Sequence, residues 1–220
     1  MTAASIGRLA EEVYRDAPRL DRSRAQLRPF YCPLEELLER TPSRSDVLDI
    51  GCGLGVFVVA LIASGRAQTA IGVDLDPAAI ETANAAAKMV KSRFPDRQLD
   101  FQVAGAVDDW PRGPFDVVSM IDVMHHLPVH LQRACFSAAA ARVRPGGAFI
   151  YKDMCRSPWW RALANRATDL VVSRQWIHYV PARAIERWGT DERLSLIERA
   201  DFVRWAIYGH ELFVFRKLEL

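Results

Sequence analysis

Apolar positions change period along this chain. Near the start, Ile6, Leu9 and Val13 recur at helical spacing, and Pro33 opens a second helix carrying Leu34, Leu37 and Leu38. After the polar stretch Thr41-Pro42-Ser43-Arg44-Ser45-Asp46, short apolar runs alternate with helical ones. Val47 to Ile50 reads as a buried strand, Val56 to Ala63 as a helix and Thr69 to Val73 as a strand. Ala78 to Val90 reads as a helix with Pro77 near its start. Leu99 to Val103 is a weaker strand and Phe115 to Ile121 a strongly apolar one. Leu131 to Val143 reads as a helix stopped by Pro145-Gly146-Gly147, and Ala148 to Lys152 as the next strand. Such alternation predicts a parallel sheet with helices on both faces, an α/β fold.

Past Asp153 the pattern changes. Residues 154–190 read as helical and aromatic, and five of the six tryptophans (Trp159, Trp160, Trp176, Trp188, Trp205) fall in the last 70 residues. Leu194 to Ile197 and Leu212 to Phe215 read as two late strands. Tyr208-Gly209-His210 between them suits a turn, so an antiparallel pair is expected at the sheet edge.

Composition adds little but excludes much. In 220 residues, half are apolar and a quarter charged, which suits one soluble globular domain. The net charge of +2 demands no nucleic-acid or acidic partner. No apolar run reaches membrane-spanning length, and Met1 to Asp16 lacks the pattern of a signal peptide. The four cysteines (Cys32, Cys52, Cys135, Cys155) follow no metal or disulfide spacing and read as free thiols of a cytoplasmic protein.

The sharpest local signal is Asp49-Ile50-Gly51-Cys52-Gly53-Leu54-Gly55, between a strand and a helix. Glycines there let the backbone turn and approach a ligand. Val56 stands where a dinucleotide loop has its third glycine, and the leading acid would repel a pyrophosphate but favour a cation. Cys52 reads as a small residue beside glycines, not as a nucleophile. Asp74 ends the second strand, where a carboxylate accepts hydrogen bonds from both ribose hydroxyls. The ligand these residues describe is a nucleoside with a cationic tail and no phosphate.

The blocks V-L-D-I-G-C-G-L-G (47–55), I-G-V-D-L-D-P (71–77), F-D-V-V-S-M-I-D-V-M-H-H-L (115–127) and V-R-P-G-G-A-F-I (143–150) resemble, in order, those of class I S-adenosylmethionine-dependent methyltransferases. The resemblance covers roughly residues 45–153. It implies a doubly wound, Rossmann-like, mostly parallel seven-stranded sheet with an antiparallel final hairpin. It also implies a single domain over 1–220: an N-terminal helical cap (1–45), a cofactor-binding core (46–153), a helical lid or acceptor insertion (154–190) and closing strands (191–220). The cofactor it implies is S-adenosylmethionine, with S-adenosylhomocysteine as product. Asp49, Gly51, Cys52 and Gly53 would hold the methionine portion, Asp74 the ribose and Leu75 the adenine, and Ile121 would line the cofactor. Many relatives carry Gly-Asp-Ala after the third strand; here Gly105-Ala106-Val107 puts Ala106 in place of the acid, leaving Asp108 or the backbone of Ala106 and Val107 for the adenine amine.

Methyl transfer needs the acceptor held in line at roughly 3–3.5 Å, and a base assists a phenol, whose pKa is near 10, by about 10²–10⁴-fold. His125 and His126 follow the fourth strand at the ligand-binding edge, and Asp153 ends the fifth beside the same crevice as base or orienting group. In Gln175 to Pro181, Trp176 and Tyr179 are placed to clamp a planar ring with His178 as base. His130 and His210 read as surface or structural, and Arg22, Arg24 and Arg28 as a solvated basic face.

No Asn-Pro-Pro-Tyr or Pro-Cys follows the fourth strand, so amine and cytosine-C5 acceptors are disfavoured. No spacing suggests a metal. The stretch from Asp153 to Tyr179 resembles a block in small bacterial methyltransferases encoded with aryl polyene pigment genes, implying a phenolic acceptor, free or on an acyl carrier protein. The expectation is O-methylation of a small aromatic acceptor, with carbon methylation second, by a monomer or homodimer. The alternatives are a non-catalytic S-adenosylmethionine-binding module and a nicotinamide-dependent oxidoreductase.

Overall fold

The computed structural model describes residues 1–154, 178–204 and 208–219. Three helices come first: α1 (Ala3–Val13), α2 (Arg19–Tyr31) and α3 (Leu34–Arg40). Then follow β1 (Ser45–Ile50), α4 (Val56–Ala63), β2 (Ala67–Asp74), α5 (Pro77–Arg93), β3 (Gln98–Val103), β4 (Phe115–Ile121), α6 (Val129–Ala141) and β5 (Val143–Met154). Last come α7 (Ala182–Asp191), β6 (Leu194–Arg204) and β7 (Tyr208–Lys217).

Local chemistry sets several of these boundaries. Thr2 caps α1 in a reciprocal pair with Ser5. Asp76 caps α5 by accepting from the Ala78 N–H, with Pro77 in the first turn and Lys91 and Arg93 in the last. Helix α4 is apolar all round, and all but its last residue is buried.

The strands form one seven-stranded sheet, in the order β3-β2-β1-β4-β5-β7-β6. All neighbours are parallel except β7, which runs antiparallel between β5 and β6. This is the doubly wound α/β arrangement with a closing hairpin. Side chains alternate between two cores. Val47, Val117, Ile121, Ile150 and Val214 face α1 to α5; Leu48, Ile50, Val118, Phe149 and Phe213 face α6 and α7. Chain order reverses between β1 and β4, so the carboxyl ends of those two strands flank the crevice where such sheets bind ligands.

Three expectations need correction. Helix α2 is not among the helices the sequence pattern predicts, because charged residues interrupt its apolar positions and few of its residues are buried in the core. Pro145-Gly146-Gly147 does not stop α6, which ends at Ala141; strand β5 has already begun at Val143, and the register slip against β4 absorbs the glycines as a bulge. Tyr208-Gly209-His210 is not the turn but part of β7: these residues pair with Arg204, Val203 and Phe202 of β6, which carries His210 alongside Met154 of β5. Of the lid expected over 154–190, residues 155–177, with Trp176, lie outside the described residues.

Candidate functional site

Asp49 sits next to last in β1, and the β1–β4 register places Ser119 opposite it. The Ser119 hydroxyl donates to Asp49 Oδ1 at 2.6 Å. Asp49 is 3% exposed, and among the described residues no cation pairs with it. Burial raises its pKa to about 7, although the Ser119 hydroxyl and the charge of Arg28 pull the other way.

The chain then turns through the glycine loop. The N–H groups of Gly51 and Cys52 both donate to the Val73 carbonyl, at 2.8 and 3.0 Å, which fixes the loop against β2. Gly51 has φ +74°, and a Cβ there would collide with Val123, so this position needs glycine twice over. Gly53 faces open space. Its N–H donates to Asp74 Oδ2 at 2.7 Å, while Asp74 Oδ1 accepts from the Asp76 N–H at 3.0 Å. Asp74 thus locks the loop and keeps lone pairs for a ligand. From α1, the buried Tyr14 hydroxyl donates to the Leu54 carbonyl at 2.7 Å and braces the same loop.

These groups form one side of a cavity of about 640 Å³. Helix α2 closes the opposite side with Leu20, Ser23, Arg24, Leu27, Arg28 and Tyr31. Ile121, Asp122, His125, His126, Met154 and His210 complete the wall at the β4, β5 and β7 ends.

That end is densely charged. Asp122 has φ +58°, a left-handed conformation that Asp tolerates better than most side chains. Its carboxylate is held between Lys152 Nζ at 2.6 Å and Arg28 Nη2 at 2.9 Å. Burial would raise the Asp122 pKa, but Lys152 and Arg28 outweigh it and hold the carboxyl well below the usual range. Lys152 is fully buried. His125, in the short 3₁₀ turn Met124–His126, donates Nδ1–H to Asp153 Oδ1. The His125 backbone N–H and the Tyr151 hydroxyl both donate to Asp153 Oδ2, at 3.2 and 3.3 Å. Asp153 is 5% exposed, so its anchors are rigid. The His126 ring lies 4.0 Å from that of His125; desolvation, followed by His125, lowers its pKa.

The structure therefore brings Asp49, Gly51, Cys52, Gly53, Asp74, Ile121, His125 and His126 to one cavity, with Asp153 directly behind His125. Burial, then Asp49 and Asp74, raise the Cys52 thiol well above its ordinary pKa, which suits a packing role. The cavity wall does not include Leu75, Ala106 or Val107. Leu75 is 73% exposed beside Gly105, and the Ala106 N–H is turned to Asp109. Nor does it include His178 or Tyr179. His178 acts through its backbone: its N–H donates to the His125 carbonyl at 2.7 Å, and its carbonyl accepts from Gln132.

One reading of a basic residue changes: Arg28 is not part of a solvated face but lines the cavity, committed to Asp122, whereas Arg24 stands at the cavity wall and is exposed. Of the two readings of His210, surface or structural, the structure supports the second: it is 1% exposed in the cavity wall and bonded to the Tyr31 carbonyl. Asp122 and Lys152 were not singled out in the sequence. Their signal was a lysine inside the apolar run Ile150-Tyr151-Lys152 and an acid closing a strand, since a buried charge requires a partner. Asp122, His125 and Asp153 do offer ligand atoms within 4.8 Å of one another. Asp122 already holds two cations there, so a divalent ion would meet buried positive charge.

Comparison with known proteins extends this. Residues 23–197 match the family described as "Methyltransferase domain". The chain is 25% identical over 156 residues to a ubiquinone biosynthesis O-methyltransferase of Alkalilimnicola ehrlichii, covering 68% of this chain and 60% of that one. It is 30% identical over 163 residues to the protein of the same name from Methylococcus capsulatus, covering 74% and 61%. The chain thus spans about three fifths of the length of these curated relatives. In fold it is similar to a magnesium protoporphyrin IX methyltransferase from Synechocystis PCC 6803 solved with bound SAH (TM-score 0.70, 16% identity, covering 95% of this chain and 93% of that one). Among the described residues, no helix is long and apolar enough to cross a membrane.

Proposed function

The chain belongs to the methyltransferase-domain family, and from that membership we propose that it transfers a methyl group from S-adenosylmethionine to the oxygen of a small phenolic acceptor. The observation that carries the reading is the presence of two acids beside the glycine loop in the wall of one cavity. Asp49 is buried with a hydroxyl as its only hydrogen-bond donor among the described residues, and Asp74 is aligned with a glycine loop that leaves open space at Gly53. That donor set fits the cofactor. Asp49 would take the ammonium, Asp74 the ribose hydroxyls, and Arg28, whose charge Asp49 already feels, the carboxylate. When bound, the cofactor supplies an electrophilic methyl group on a sulfonium centre.

The chain's own residues supply the rest. Arg28, Leu27 and Leu20 on α2 line the cavity, where a bound cofactor and acceptor would meet them. His125, oriented through Nδ1 by Asp153, takes the acceptor's proton at Nε2, and Asp153 stabilises the resulting imidazolium. A free acceptor and one tethered to a carrier protein fit the same reading.

Calorimetric titration with S-adenosylhomocysteine, with NAD as control, tests the assignment. Micromolar binding, about −8 kcal/mol, is expected for the first and none for the second. Asp74→Ala is expected to lose about 2 kcal/mol of that affinity, roughly 30-fold, because two charge-assisted contacts go with it. Unchanged affinity in the variant would remove Asp74 from the ribose site.

Asp49 gives the binding a pH signature. Its folded pKa of about 7 lies above the ordinary carboxylate value, so near pH 6 most empty protein carries a neutral Asp49. An ammonium requires the ionised form. Affinity should weaken several-fold between pH 7 and pH 6, and binding at pH 6 should release about one proton. Asp49→Asn should abolish that proton release, which titrations in buffers of different ionisation enthalpy measure directly. Linkage for folding runs the other way. A raised carboxyl pKa stabilises the folded chain below about pH 4 and loses that contribution as pH rises to about 7.

A further inference from the structure

The cavity wall holds a buried polar atom that no described residue satisfies. His210, in β7, lies opposite Met154 of β5 and Phe202 of β6, and is 1% exposed. Its Nε2 is 2.8 Å from the Tyr31 carbonyl oxygen. A carbonyl only accepts, so Nε2 carries the hydrogen and Nδ1 bears a lone pair. Nδ1 is buried, and no described residue donates to it. The charged groups around it, Lys152, Asp122 and Arg28, are bonded to one another instead. Burial, and then the charge of Lys152, lower the His210 pKa to about 3, so the ring stays a neutral acceptor. Folded proteins rarely leave such an atom unpaired, and a site wall is where a ligand supplies the missing donor.

We propose that His210 is a specificity-determining residue whose Nδ1 accepts a hydrogen bond from a donor group of the methyl acceptor other than the hydroxyl that is methylated. This rests on the methyltransferase reading above and adds a demand on the acceptor: it carries a second O–H or N–H group. The Tyr31 contact fixes the ring's tautomer and orientation, so the demand is for a donor and not merely for a polar atom. Sites that bond a substrate hydroxyl discriminate strongly against the analogue lacking it.

The test uses the full chain loaded with S-adenosylhomocysteine and titrated with the three benzenediols and their mono-methoxy counterparts, which keep the oxygen but lose the second donor. The wild type is expected to bind at least one diol about tenfold more tightly than its methoxyphenol, about 1.4 kcal/mol. His210→Gln keeps a donor for the Tyr31 carbonyl but offers no acceptor at the Nδ1 position. Its preference should fall below about threefold while S-adenosylhomocysteine affinity is unchanged. His210→Asn keeps an acceptor near Nδ1 and should retain most of the preference. An unaltered preference in His210→Gln, or no diol preferred by the wild type, overturns the inference. Failure of S-adenosylhomocysteine to bind the wild type overturns the methyltransferase reading itself, so the two failures are distinguishable.

Discussion

Replacing His125 by Gln is expected to lower kcat for a phenolic acceptor by about 10²–10⁴-fold, the usual contribution of a positioned base. The ring is held in place from three directions. Its Nδ1 donates to Asp153, its backbone N–H donates to the same carboxylate, and its carbonyl accepts from His178. Gln can fill the space but cannot carry the proton. The variant must therefore wait for solvent to ionise the phenol, so its rate should climb about tenfold per pH unit toward the phenol pKa near 10. The wild type should level off at a lower pH. S-adenosylhomocysteine affinity should stay within about twofold, because in the proposed reading His125 serves the acceptor and not the cofactor. Asp153→Asn should lower kcat in the same direction by disturbing the tautomer. A kcat within threefold of wild type at neutral pH would assign deprotonation elsewhere, with His126 on the same wall as the next group to replace.

The proposed base and its orienting acid, His125 and Asp153, were among the candidates the sequence offered, and the order of elements from β1 to β5 was legible there. Those segments sit in the middle of the sheet, where burial on both faces favours near-continuous apolar runs such as Val117 to Ile121, interrupted by Ser119 alone. The glycine loop was legible because only glycine suits positions such as Gly51, with its positive φ and its contact with Val123. Asp49 and Asp74 stood out because one lies next to last in β1 and the other ends β2, both beside that loop.

Helix α2 escaped because its inner side faces a cavity instead of a core. Leu20 and Leu27 are 62% and 49% exposed, and the residues between them are largely charged or small, so the 3.6-residue apolar signal is weak. The same blindness hid Arg28, since a sequence shows a cationic helix but not which of its charges meets an acid 94 residues away. His210 was misplaced for a related reason. A glycine beside it suggested a turn, whereas pairing with both β5 and β6 extends the strand to the site. The roles expected of Leu75, Ala106 and Val107 came from resemblance alone; none of the three lines the cavity, although Asp74, next to Leu75, does.

The ion triad that α2 completes gives the largest expected effect on stability. Asp122→Ala should destabilise the fold by about 3–5 kcal/mol, because it leaves Lys152 charged, buried and without its partner. For a chain of this size that corresponds to a fall in Tm of roughly 10 °C. Part of the loss has another origin, since Ala is strained at the φ of +58° that Asp tolerates. Asp122→Asn separates the two contributions: it keeps the backbone preference and a hydrogen-bond acceptor but not the charge, so it should cost less than Ala. Adding Lys152→Met to Asp122→Asn removes the stranded ammonium. It should restore much of the lost stability, as replacement of buried ion pairs by apolar groups often does. The wild type carries a matching acid signature. The depressed Asp122 pKa contributes stability that is complete above the ordinary carboxylate pKa of about 4 and is lost progressively as pH falls further. Urea unfolding at pH 7 and pH 3 on the wild type and the three variants measures each part. A loss below about 1 kcal/mol for Asp122→Ala, or a double variant no more stable than Asp122→Asn, would show that the triad does not fasten α2 to the sheet through charge.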